Sequence, residues 1–118
     1  MIRSMLKSKI HRATVTDADL HYEGSVTVDE NLLKAANILP NEHVHIWDVT
    51  NGNRFETYTI LGKKGSGCIC INGAAAHLAK KGDIIIITSF GLYTEKELES
   101  HKTKVVLVDS QNQIISKK

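Results

Sequence analysis

The chain has two cysteines, one proline and almost no net charge, and each shortage closes off a class of protein. Cys68 and Cys70 are too few and too close together to staple a secreted fold. One proline and eight glycines leave no room for a Pro-rich linker. Fifteen lysines and arginines against thirteen acidic residues give a formal charge of +2, too small a balance to argue for a nucleic-acid partner. No apolar run approaches the length of a membrane span; the longest lies around Ile84–Ile87. The opening segment MIRSMLKSKIHR mixes charged with apolar residues and lacks the apolar centre of a secretory signal. The expectation is a cytoplasmic protein with no membrane and no nucleic-acid partner.

What is present reads as one domain over residues 1–118, with 42% hydrophobic and 24% charged residues. A chain of this length buries roughly two-thirds of its unfolded surface, enough for one core. Short strand-like segments dominate. Met5, Ile10 and Val15 mark a β-rich opening, and Asp17–Asp19 reads as a turn. Val26 and Val28 alternate, and Asp29 fits the N-cap of a short helix over Glu30–Ala36. Val44–Val49 and Arg54–Leu61 read as a hairpin around Thr50-Asn51-Gly52-Asn53, since Asn-Gly tolerates the positive φ of tight turns. On the return strand Phe55, Thr57, Thr59 and Leu61 fall on one face, and Arg54, Glu56, Tyr58 and Ile60 on the other. Cys68–Ile71 is a further strand, followed by a turn at Asn72–His77. Ile84–Phe90 reads as a strand buried on both faces. Thr94 to Glu97 fits a capping box, and Val105–Val108 reads as the last strand. This spacing of short strands predicts a small barrel or sandwich.

Four features could carry chemistry. Gly24-Ser25 is an ordinary turn pair, yet a serine after a glycine can attack the unobstructed glycine carbonyl and turn the amide into an ester. Elimination and hydrolysis then leave a ketone that condenses with amines and withdraws electrons, the work otherwise done by pyridoxal phosphate. Arg54 and Tyr58 share a strand face, either as a solvated pair or as an anion clamp beside a phenolic acid, with Thr57 on the opposite face. Asn72-Gly73-Ala74-Ala75-Ala76 is small enough for a ligand to approach backbone amides, and equally a plain helix start. Cys68, Cys70, His43 and His45 make a CxC and an HxH pair, weak patterns for zinc. Lys9 and His11 form a basic stripe on one strand face.

Taken together, Lys9-Ile10-His11-Arg12-Ala13, Asp19 to Ser25, Ile46 to Gly52, Arg54-Phe55-Glu56-Thr57-Tyr58 and Asn72 to His77 resemble the pyruvoyl-dependent L-aspartate 1-decarboxylase family. The resemblance runs in order to about Phe90. It implies a mainly β fold, a small six-stranded double-psi β-barrel with a few short helices. It implies self-cleavage between Gly24 and Ser25 into residues 1–24 and 25–118. It also implies decarboxylation of L-aspartate to β-alanine for pantothenate synthesis. By matching motif, Ser25 becomes the pyruvoyl group, Thr57 assists cleavage and Tyr58 donates a proton. Lys9, Arg54, Thr57 and the Gly73, Ala74 and Ala75 backbone bind substrate, with His11, Tyr22, Trp47 and Asn72 in support. The family works as a homotetramer without metal or pyridoxal phosphate, and leaves room for an accessory activator of cleavage. Two other readings remain: a non-enzymatic binding barrel, and a zinc module on the Cys/His set.

Overall fold

A computed structural model describes all 118 residues. The strands are β1 (Ile2–Thr14), β2 (Asp17–Asp19), β3 (Ser25–Asp29), β4 (His43–Asp48), β5 (Arg54–Gly62), β6 (Ile69–Asn72), β7 (Ile84–Thr94), β8 (Lys104–Val108) and β9 (Ile114–Lys117). Two short helices, α1 (Glu30–Ala35) and α2 (Glu95–Leu98), and a 3-10 turn at Gly73–His77 complete the chain.

The strands close into a ring because β1 bends. Its pairing with β7 shifts register between Ile10 and Ala13, where Arg12 adopts φ of +62°. Beyond the bend, the Val15 amide donates to the Asp83 carbonyl and the Thr16 amide to the Ile69 carbonyl. The chain thus passes into β2, which pairs in parallel with β6. With β1 and β2 taken as one bent strand, the neighbours run β1/β2, β6, β3, β5, β4, β7 and back to β1, a ring of six. Exchanging β1/β2, β3 and β4 with β5, β6 and β7 leaves that order unchanged, and maps the parallel pair β2–β6 onto the parallel pair β3–β5. This is the double-psi arrangement. Outside the ring, β8 lies parallel to β1 and β9 antiparallel to β8.

Eighteen apolar residues fill the ring, among them Ile10, Val26, Val28, Val44, Ile46, Ile69, Ile71, Ile85 and Ile87. Each fully buried aliphatic side chain contributes about 1.5–3 kcal/mol relative to exposure. Leu32 and Leu33 of α1 belong to the same cluster. Asp29 caps that helix through the Asn31 amide at 2.8 Å. The same buried carboxylate also accepts from the Gly65 and Gly67 amides. Asn112 locks the C-terminal segment to β1, accepting from the Thr14 amide and donating to the Thr14 and Gly67 carbonyls.

Three local expectations change. Asp17–Asp19 is a strand rather than a turn, because its backbone finds β6. Val105–Val108 is followed by a further strand, β9. Ile84 and Ile86 are half-buried rather than buried, and β7 runs on to Thr94. Leu61 is 48% exposed and lines a groove with Leu33, Leu39 and Pro40.

Candidate active site

Ser25 opens β3 and is fully buried, directly after an exposed Gly24. Its hydroxyl accepts a hydrogen bond from Asn72 Nδ2 at 2.9 Å. Ser25 and Asn72 are register partners across β3 and β6, so two strands fix the contact. Asn72 is itself oriented: its Nδ2 also donates to Thr27 Oγ1 at 3.0 Å, and its Oδ1 accepts from Cys70 Sγ at 3.1 Å. Burial, then the charges of Asp17 and Asp19, push the Cys70 thiol above its ordinary range. Cys70 therefore stays a neutral donor rather than a thiolate.

Gly73 explains why glycine follows Asn72. Its φ is +73°, and a Cβ there would lie 2.7 Å from Gly24 Cα and 2.8 Å from Gly24 N. The 3-10 turn at Gly73–His77 is thus pressed against the junction before Ser25, with Ala74 exposed and Ala75 half-buried. The Tyr22 carbonyl stands against the same glycine, while the Tyr22 side chain is exposed. On the other flank, β3 and β5 run parallel with Val26 opposite Thr59. One step back along that register, Ser25, the first residue of β3, falls beside Tyr58 of β5; no hydrogen bond joins Thr57 or Tyr58 to Gly24 or Ser25. Thr57 is half-buried and Tyr58 is partly exposed.

A second group sits elsewhere on the barrel. Arg54 and Trp47 are cross-strand partners, and the guanidinium lies over the indole at 4.6 Å. No carboxylate of the chain pairs with Arg54. Four residues separate it from Tyr58, roughly 13 Å along the strand. Lys9 is half-buried on β1, between Thr88 of β7 and Val105 of β8. Two residues on, His11 Nδ1 is buried with no hydrogen-bond partner. Burial, then the charges of Lys9 and Arg12, hold His11 below the usual histidine range, so the ring stays neutral. No hydrogen bond or ion pair joins this group to Ser25, Asn72 or Gly73.

The four-residue zinc set does not assemble. Cys68 and Cys70 belong to the β6 side and His43 and His45 to β4, on opposite sides of the ring, and no cysteine joins the histidines. The histidines instead meet Glu56, which sequence reasoning passed over. Only the folded hairpin register, which pairs His45 with Glu56, brings it to them. Also unforeseen is a carboxyl pair beneath the Asn51-Gly52 turn. Asp48 and Asp83 face each other there, and Asp48 Oδ2 is buried without a donor.

Fold and junction define a class: a double-psi barrel whose reactive candidate is a buried serine held by an asparagine amide, behind a glycine pressed on backbone. Comparison with known proteins narrows it. The aspartate decarboxylase family model matches residues 1–115. The chain is 61% identical over 114 residues to the aspartate 1-decarboxylase of Neisseria meningitidis, covering 97% of this chain and 90% of that protein. It is 60% identical over 114 residues to the aspartate 1-decarboxylase of Syntrophus aciditrophicus, covering 97% and 98%. The crystal structure of the computationally designed msDPBB_sym2 protein matches with a TM-score of 0.48 at 18% identity, over 72% of this chain and 96% of that one. The chain belongs to the aspartate decarboxylase family.

Proposed function

We propose that the chain cuts itself between Gly24 and Ser25 and then removes the α-carboxylate of L-aspartate as carbon dioxide, leaving β-alanine for pantothenate synthesis. The observation that carries this reading is the junction itself: a buried Ser25 hydroxyl held by Asn72, next to a Gly24 backbone that touches Gly73. The Ser25 oxygen attacks the Gly24 carbonyl carbon, the Gly24–Ser25 C–N bond breaks, and the Ser25 nitrogen takes up the proton. Loss of the Ser25 α-proton then expels the Gly24 carboxylate from Cβ. Water converts the resulting dehydroalanine to a ketone and ammonia. Thr57, next to Tyr58 on β5, steadies the carbonyl under attack. The products are residues 1–24 and 25–118.

The pyruvoyl group so formed supplies an electron-withdrawing ketone next to the scissile bond of the substrate. Asn72 suits it, being a neutral donor at that position. Backbone amides of Gly73, Ala74 and Ala75 and the Lys9 cation hold the bound amino acid. Arg54 takes the retained side-chain carboxylate in a bidentate pair. An ion pair on the leaving carboxylate would stabilise the reactant over its neutral product and oppose the reaction. Trp47 keeps the guanidinium flat and away from the chain's own carboxylates. Tyr58, level with Ser25, returns a proton to the α-carbon, with Tyr22 and neutral His11 in support.

Lys9 and Arg54 stand apart from Ser25 within one chain, so a neighbouring copy completes the site, in keeping with a homotetramer. The reading places the enzyme in the cytoplasm; no helix is long and apolar enough to cross a membrane. It needs neither metal nor pyridoxal phosphate, and admits an accessory activator of the cut. Intact mass under denaturing conditions tests it. The expected result is two fragments divided at Gly24–Ser25, the larger lighter than a serine-start chain by one ammonia. Ser25→Ala should stay whole and inactive. Decarboxylation by an uncut chain would overturn the proposal.

A further inference from the structure

We propose that His43, His45 and Glu56 form a three-ligand site for a borderline divalent cation of the zinc type, set between Arg54 and Tyr58 on the hairpin. His43 and His45 alternate along β4 and so present both rings on one face. Glu56 is the cross-strand partner of His45 on β5, which brings its carboxylate to the same face. The ligand atoms of the three residues all lie within 4.8 Å of one another. His43 Nε2 is 2.7 Å and His45 Nε2 3.6 Å from Glu56 Oε1. Donors bound tetrahedrally at about 2.0–2.1 Å stand roughly 3.4 Å apart, a spacing reached here by small side-chain rotations.

The surroundings favour metal over a plain ion pair. Arg54, two positions before Glu56 on the same face of β5, stacks on Trp47 and leaves Glu56 to the histidines. The edge of Phe90 packs against the His45 ring at 5.4 Å and limits its swing. The three groups line a cleft of about 580 Å³ together with Ser4, Phe90 and the stacked Trp47 and Arg54, so solvent can supply the fourth ligand. Two imidazoles and one carboxylate are the donor set that zinc accepts while keeping one position open. A bound ion would tie β4 to β5.

The test is calorimetric titration of tag-free, chelator-treated protein with Zn2+, repeated with Co2+ for its visible absorption. One ion per chain is expected, with a raised thermal midpoint in the presence of Zn2+. His45→Ala and Glu56→Gln should each weaken binding at least tenfold and abolish the thermal shift. Both side chains are exposed or half-exposed, so neither change threatens the fold, and circular dichroism verifies this. A Cys68→Ser, Cys70→Ser double variant should bind as the parent does. Substoichiometric binding, unchanged binding in His45→Ala, or loss of binding in the cysteine variant would each overturn the proposal.

Discussion

At the scale of single residues, Gly73 offers the sharpest control on the Gly24–Ser25 junction. Both Gly73 and Gly52 sit at positive φ, +73° and +81°, so an alanine at either costs about 1 kcal/mol or more of backbone strain. They differ in space. A methyl at Gly52 meets nothing within 4 Å, whereas one at Gly73 strikes Gly24. Gly73→Ala should therefore slow cleavage at least tenfold, while Gly52→Ala should lower the thermal midpoint and leave cleavage alone. A mass-spectrometric time course of the two variants decides it; equal cleavage rates would mean the close approach does not matter. Asn72 and Gly73 were legible as turn residues next to a strand. Their contact with Ser25 and Gly24 was not, because some fifty residues intervene and only the pairing of β3 with β6 brings them together.

At the scale of elements, the β4–β5 hairpin shows what a turn signal does and does not carry. Asn51-Gly52 marked the turn, but the loop is longer than two residues. The Asp48 carboxylate accepts from the Thr50 and Asn51 amides, and the Asp48 amide donates to the Asn53 carbonyl. That loop sets Trp47 opposite Arg54 and His45 opposite Glu56, a register the sequence did not reveal. Asp48 also ties the hairpin to the turn before β7, where it faces Asp83. Burial first, then Asp83, pushes the Asp48 carboxyl up from 3.8 to about 6, against the pull of the Asn51 and Thr50 amides. Asp83 moves the other way, lowered by the hydrogen bond from Asp48 against the effect of burial. The folded pair thus holds one proton that unfolded Asp48 would release near pH 4. Stability from this proton is fully present below pH 4 and is lost as pH rises through about 6. Asp83 contributes in the opposite sense, and its share is lost on acidification below its ordinary range. Asp48→Asn keeps the acceptor for Thr50 and Asn51 and supplies a permanent donor to Asp83. It should stabilise the protein at pH 7 by about 1.5–3 kcal/mol, the worth of a hydrogen bond to a charged group, and flatten the slope between pH 4 and 6. Urea denaturation across that range checks both; a parent protein whose stability rises from pH 4 to 6 would contradict the shared proton.

At the scale of the whole molecule, ordered motifs conveyed the barrel, while periodicity left barrel and sandwich open. Closure depends on the bend at Arg12 and on Thr16 reaching β6, contacts that no pattern of alternation encodes. The same ring separates the candidate site into two parts. Ser25, Asn72 and Gly73 meet where β3 pairs with β6, with Thr57 and Tyr58 on the neighbouring β5, while Lys9 and the stacked Arg54 lie on β1 and the far end of β5. If the parts meet only between copies, two defective chains should repair each other. Ser25→Ala provides an intact Arg54 but no cut; Arg54→Ala is cut but lacks the clamp, and alone it should turn over aspartate at least tenfold less well. Unfolding and refolding the two together gives mixed assemblies, in which, on the shared-site reading, some sites pair a processed chain with an intact Arg54. Activity should then rise well above that of either variant refolded alone, with mixing verified by native mass spectrometry. In a site built within one chain, each mixed assembly would contain only defective sites, and mixing would recover nothing. Absence of rescue in verified mixed assemblies would place Arg54 and Ser25 in the same protomer's site and remove the shared-site reading.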